Sequence, residues 1–252
     1  MPRPTLPPLR AAFGPAKDLM PKYLGEVLGR LEDHGAYAVI RGEGPCRLGP
    51  SMVNDACPIA TALRCRLGGL VIRPVRVVNG RVVGRGVDDV NNIVTGLAVH
   101  EAYIEMVREA NPGWVVQSDT YYTTIVEYGG ERLEVGFSPD ILIGRGGEWY
   151  LVEVKIAPPH TSHEVQLALY WYLLRDYYGV SRAYLVTPGA VIPYGYGDLE
   201  LLVRQGLEYL VAVRRVLQSW VGDRPSLVVR GSCPCRFAAA CPVYRGVTAF
   251  AR

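Results

Sequence analysis

Apolar positions along the chain change their period several times, and each change marks an element. "AKDLMPKYLGEVLGRLEDHG" (16–35) has helix-period apolar spacing and predicts an interrupted amphipathic helix ended by glycine. "SMVNDACPIATALRCRLGG" (51–69) is a second helical run. In "LVIRPVRVVNGRVVGRGV" (70–87) β-branched runs flank Asn79-Gly80, the dipeptide preferred in two-residue hairpin turns. "VNNIVTGLAVHEAYIEMVREANPGW" (90–114) predicts a helix that stops near Asn111-Pro112-Gly113. Three strands are expected next, at about 115–127, 132–143 and 148–156. A helix follows in "PPHTSHEVQLALYWYLLRDYYG" (158–179), where Thr161 and Glu164 have capping-box spacing. "SRAYLVTPG" (181–189) reads as a strand and 197–222 as a long amphipathic helix, with a cysteine-bearing tail behind it.

The two strands in "GFSPDILIGRGGEWYLVEVK" (136–155) carry charges among Val, Ile and Leu. Alternation puts Leu151, Glu153 and Lys155 on one face and Val152, Val154 and Ile156 on the other. With "GRGG" as a four-residue loop, Ile143 pairs with Glu148 and Asp140 falls opposite Leu151. Glu153 is then the diagonal neighbour of Asp140 on the same face, near enough for both carboxylates to reach one cation. A slip of one residue would separate the faces. Phosphodiester hydrolysis calls for such a set: carboxylates for a hard divalent ion, with a lysine to orient or deprotonate water or to steady the oxyanion. A solvated Glu153–Lys155 pair is the plain alternative. His100 on the preceding helix is a third nitrogen or oxygen donor candidate. Gln166 and Tyr170, spaced i, i+4, share a face of the following helix.

Composition narrows the classes. The 252 residues, 49% hydrophobic and 20% charged, suffice for one large domain or one domain with an appendage. Net charge of +3 by itself barely favours a polyanion. No run has the length of a membrane span, and the proline-broken start lacks the apolar segment of a signal peptide. A cytoplasmic protein without a membrane partner is therefore expected. Scarce Asn and Gln beside plentiful Arg, Val, Tyr and Pro suit a thermophile. No Walker-type phosphate loop is present, which argues against ATP hydrolysis.

In order and approximate spacing, "H…PD…EVK…QLALY" resembles the RecB-like branch of the PD-(D/E)xK nucleases, over about residues 95–190. The resemblance implies that His100, Asp140 and Glu153 hold Mg or Mn with the carbonyl of Val154. Lys155 would act on the nucleophilic water, and Gln166 and Tyr170 would match a Q-x-x-x-Y motif that positions the DNA strand and the lysine. His160 and His163 stand outside it and read as loop and helix-start residues.

Six cysteines in a cytoplasmic chain argue against a disulfide framework and for metal binding, with buried reduced thiols as the alternative. Cys233, Cys235 and Cys241 fall within nine residues, and an upstream cysteine could complete a set for an iron–sulfur cluster or zinc. The segment around Cys57 resembles the "S…CP…LG" segment of iron–sulfur RecB-like nucleases, which include the CRISPR-associated Cas-four exonucleases and the AddB nucleases. That resemblance makes Cys57 the fourth ligand. Cys233 departs from the family spacing, which leaves 4Fe–4S and 2Fe–2S both open and Cys46 or Cys65 as replacements.

Residues 56–87 hold Arg64, Arg66, Arg73, Arg76, Arg81 and Arg85 and no acid, and 224–252 are likewise acid-free with five arginines. Joined by a cluster, the two segments would form a basic collar for a nucleic-acid backbone. The expected protein is an α/β PD-(D/E)xK nuclease, a mixed β-sheet flanked by helices with an iron–sulfur clasp joining the two ends. Its expected parts are an N-terminal segment (1–94), a nuclease core (95–222) and a closing cysteine segment (223–252). By resemblance it would be a Mg- or Mn-dependent exonuclease on single-stranded DNA, acting beside integrase proteins in CRISPR adaptation. The alternative is a non-catalytic iron–sulfur or zinc scaffold that binds DNA.

Overall fold

The computed structural model describes residues 3–221 except 36, 43 and 56, together with 224 and 225. Helix α1 (Phe13–Gly29) runs through Pro21 and stops before Gly35. The expected helical continuation is instead a pair of strands, β1 (Leu31–Asp33) and β2 (Ala38–Arg41), with Leu31 opposite Ile40. Gly35 has φ +74° and serves the turn between them. The second helix also starts later than expected: residues 50–54 form a 3-10 turn, and α2 (Pro58–Leu67) begins behind Cys57. Pro58 suits the first helical position because its missing N–H would have no partner there, and left-handed Gly68 closes the helix. β3 (Gly69–Ile72) returns to pair with β2. β4 (Arg76–Val78) and β5 (Arg81–Val83) form the hairpin expected at Asn79-Gly80, both turn residues having positive φ.

Helix α3 (Val87–Ala110) ends just before Pro112. Two of the expected strands each divide: β6 (Val115–Gln117) from β7 (Tyr122–Tyr128), and β8 (Glu131–Phe137) from β9 (Ile141–Arg145). The second break falls at Pro139, which has no N–H for a ladder, and the first passes through left-handed Asp119. The halves go to different sheets, with β7 pairing β8 and β6 joining β9. β10 (Glu148–Val154), α4 (Thr161–Tyr178), β11 (Val180–Val186), β12 (Val191–Tyr194) and α5 (Tyr196–Gln218) complete the order. The cap of α4 is His160, whose Nδ1 accepts from the Ser162 N–H, and not Thr161. Glu164 leaves the expected capping box to accept from the Tyr194 hydroxyl at 2.6 Å.

The central sheet has the order β12-β11-β10-β9-β6 and is mixed: β10 and β11 are parallel and the other pairs antiparallel. Parallel neighbours need a crossover, which α4 supplies. Helices cover both faces. Leu142, Leu151, Ala183 and Leu185 face α4 and α5, while Ile141, Ile143, Val152 and Val154 face α1 and α3. Burial on both sides explains why β9 and β10 read as near-continuous apolar runs. Helices α4 and α5 touch at Gly206, where an added Cβ would lie 2.5 Å from the Leu169 side chain.

Candidate active site

The turn between β9 and β10 has two residues, Gly146 and Gly147, both at positive φ, and pairs Arg145 with Glu148. This corrects the four-residue loop expected from sequence. Ile143 lies opposite Tyr150, two residues further along than assumed, so each side chain keeps its face. Continuing the ladder by one step sets Asp140 opposite Glu153 instead of Leu151. Asp140 Oδ2 accepts from the Val154 N–H at 2.7 Å, which fixes the carboxylate at the end of β10.

Glu153 is fully buried, and neither carboxylate oxygen has a hydrogen-bond partner. Lys155 Nζ sits 2.6 Å from Glu153 Oε1, as a close ion pair without hydrogen-bond geometry. Burial, then the charge of Asp140, push the Glu153 carboxyl up to about 8, against the pull of Lys155. For Lys155 burial acts downward, but Glu153 and Asp140 outweigh it and the ammonium is held above its ordinary range. Buried Gln166 and Tyr170 approach from α4, with Gln166 Nε2 donating to the Tyr170 hydroxyl at 3.2 Å. Burial and then the charges of Glu153 and Asp140 raise the Tyr170 phenol well above its ordinary range.

His100 comes from α3, on the other side of the sheet. Its Nε2 lies 2.9 Å from the carbonyl of Val154 and its Nδ1 3.5 Å from Asp140 Oδ1. The Val154 peptide is thus held on both sides, by Asp140 at N–H and by His100 at C=O. A carbonyl only accepts, so Nε2 is the donor in its contact with Val154. Among the described residues no three His, Cys, Asp or Glu side chains already converge as a metal set. The donor types nonetheless suit a hard divalent cation: an imidazole nitrogen, the carboxylates of Asp140 and Glu153, and a peptide carbonyl.

A cleft of ≈ 470 Å³ opens beside His100 and Asp140, lined also by Lys22, Tyr23, Glu101 and Arg108. Glu101 accepts from the Tyr23 hydroxyl and from Lys22 Nζ, and these partners hold its carboxyl below the ordinary range. Neither α1 residue carried a sequence signal. Asn54 was missed too: its Nδ2 donates to Gln166 Oε1 at 2.5 Å across 112 positions of sequence. His163, set aside from sequence, is half-buried, and burial followed by the charge of Lys155 push it down to about 4. Its signal was available, since 163, 166 and 170 fall on one helical face.

Cys57 caps α2, its sulfur accepting from the Ala60 N–H at 3.4 Å. Cys233, Cys235 and Cys241 lie outside the described residues, and with them the expected clasp. Cys46 and Cys65 form a disulfide with Cα atoms 5.0 Å apart, a single bridge where the cysteine count had argued against a disulfide framework. The loop before the 3-10 turn folds back onto the last turn of α2 and brings the two sulfurs together. Several collar arginines are also turned to internal work. Arg64 pairs with buried Asp55 at 2.5 Å, Arg73 with Asp89 at 3.0 Å and Arg76 with Asp33 at 3.6 Å. Arg81 and Arg85 are exposed and make no ion pair among the described residues.

No family model matches the chain. Among solved structures, the crystal structure of SSO0001 is similar, with 15% identity, a TM-score of 0.49, and coverage of 90% of this chain and 96% of that chain. No helix among the described residues is long and apolar enough to cross a membrane.

Proposed function

We propose that this protein is a divalent-metal-dependent deoxyribonuclease of the RecB-like, PD-(D/E)xK type, an exonuclease trimming single-stranded DNA for CRISPR spacer acquisition beside integrase proteins. One observation carries the reading: Glu153 is fully buried directly across the hairpin from Asp140, with Lys155 Nζ 2.6 Å from its Oε1 and no partner on its Oε2. A carboxylate placed so is expensive unless it serves a cation. His100, Asp140, Glu153 and the carbonyl of Val154 would hold Mg or Mn, which when bound supplies a Lewis acid for a phosphodiester. Lys155, kept as an ammonium by its ion pair, donates to a phosphate oxygen as negative charge builds. Gln166 and Tyr170, hydrogen-bonded to each other, wall the site on the α4 side. The apolar residues of β10 and α4 exclude water behind them. In this reading Cys57 joins Cys233, Cys235 and Cys241 around a 4Fe–4S or 2Fe–2S cluster whose contribution is to hold the two ends together.

The test is cleavage of end-labelled single-stranded DNA by purified protein with its cluster intact. The reading expects degradation that requires Mg or Mn, falls by about a thousandfold or more in Asp140→Ala and Glu153→Ala, and is absent with chelator. Wild-type protein that binds DNA and cuts nothing in either metal would leave the non-catalytic scaffold in its place.

A further inference from the structure

We propose that Asn54 is a positioning residue of this site, setting the direction of a hydrogen-bond relay that aims the Tyr170 hydroxyl hydrogen at the carboxylates; this rests on the nuclease reading above. The relay runs from Asn54 Nδ2 to Gln166 Oε1 at 2.5 Å, and from Gln166 Nε2 to the Tyr170 oxygen at 3.2 Å. Both ends demand the same polarity. At the inner end, buried Tyr170 packs with Leu142 and Leu151 against the sheet face on which alternation sets Asp140 and Glu153. A phenol facing carboxylates is favoured with its hydrogen toward them, so its oxygen is free to accept from elsewhere. Gln166 therefore presents its NH₂ group inward and its carbonyl outward. At the outer end, whatever faces that carbonyl must be a donor, and Asn54 is.

Asn54 is well held for this task. Val53 before it is buried in the core that contains Tyr170, and Asp55 after it is buried against Arg64 and the Thr61 hydroxyl. Asn54 itself is exposed, so a change of its amide is tolerated by the fold. The useful substitution is Asn54→Asp, equal in shape and opposite in polarity. An ionised Asp accepts only, so it draws the Gln166 NH₂ group outward and turns the Gln166 carbonyl to Tyr170. The phenol hydrogen then points away from the site, and an oxygen lone pair faces two carboxylates. Asn54→Ala merely removes the donor and leaves the place to water.

The inverted order is the signature. A packing role would make the isosteric Asp milder than Ala, whereas the relay makes it worse. Expected are a kcat on DNA about tenfold lower for Asn54→Ala and about a hundredfold lower for Asn54→Asp, with KM within about threefold. In a Tyr170→Phe background the Asp substitution should cost nothing further, because the group it acts through is gone. A readout without metal or DNA accompanies these: the Tyr170 ring-carbon NMR resonance should move in Asn54→Asp, with thermal stability unchanged. Asn54→Asp protein with wild-type kcat, penalties that multiply in the Tyr170→Phe background, or an unmoved resonance would each overturn the relay. Inactive wild-type protein would instead overturn the nuclease reading, and the resonance would then decide the relay alone.

Discussion

Glu153 gives the residue scale its sharpest consequence. Its carboxyl is held at about 8 in the folded protein, by burial first and by Asp140 second, against 4.5 for the free group. A folded value above the unfolded one means that the folded state binds more protons between the two. The associated stability is complete below about pH 4.5 and is lost as pH rises through about 8. Chelator-treated protein should therefore lose stability across this window, by several kcal/mol in order of magnitude. In Glu153→Gln the slope should be visibly flatter, and Mn²⁺ should restore the wild-type protein most at the alkaline end. Thermal unfolding at pH 5, 6.5 and 8 measures this, and equal slopes in the two proteins would refute the assignment. The shared face of Asp140 and Glu153 on the hairpin, and of Gln166 and Tyr170 on α4, could be read from sequence because strand and helix periods assign faces. Asn54 and Tyr23 could not. They reach the site from segments far away in sequence, and no local period encodes a partner across 112 positions.

At the scale of elements, the α4–α5 contact decides the sign of a glycine substitution. Ala is favoured over Gly in a helix interior by roughly 0.5–1 kcal/mol. At Gly206 a Cβ would lie 2.5 Å from fully buried Leu169, which has nowhere to go. Overpacking there costs about 1–3 kcal/mol, so Gly206→Ala should destabilise. Gly25, exposed in α1 with nothing within 4 Å of its Cβ position, should give the opposite sign. Denaturant midpoints of the two variants make the comparison, and a shift in the same direction would count against this packing. The β9–β10 turn shows how a sequence reading can misjudge a length and still find a face. Its register moved by two residues, and a shift by an even number leaves every side chain on the side where alternation put it. The divided strands were less legible. Which sheet a segment joins depends on partners that the hydrophobic period does not name.

Over the whole molecule, ion pairing separates arginines that hold the fold from those that make no ion pair among the described residues. Arg64 neutralises a buried carboxylate, so its removal should act on stability. Under the proposed nuclease function, Arg81 and Arg85, exposed at and beyond the β4–β5 hairpin, should act on DNA. Their joint replacement by Ala in an Asp140→Ala background should lower the slope of log Kd against log salt for single-stranded DNA by about 1.4, at ~0.7 per lost phosphate contact. An unchanged slope would exclude the hairpin from the DNA path. Counting arginines along the chain could not make this division, because Asp33, Asp55 and Asp89 lie outside the acid-free segment that they neutralise.

The two-residue turn also sets an order of events. Asp140 and Glu153 meet across a tight hairpin, a closure that a chain completes early and at small entropic cost. Asn54 and Gln166 meet only after more than a hundred residues have been gathered in, which belongs to the slow, late part of folding. A chain on its way to the native state is therefore expected to pair Asp140 with Glu153 before Asn54 reaches Gln166.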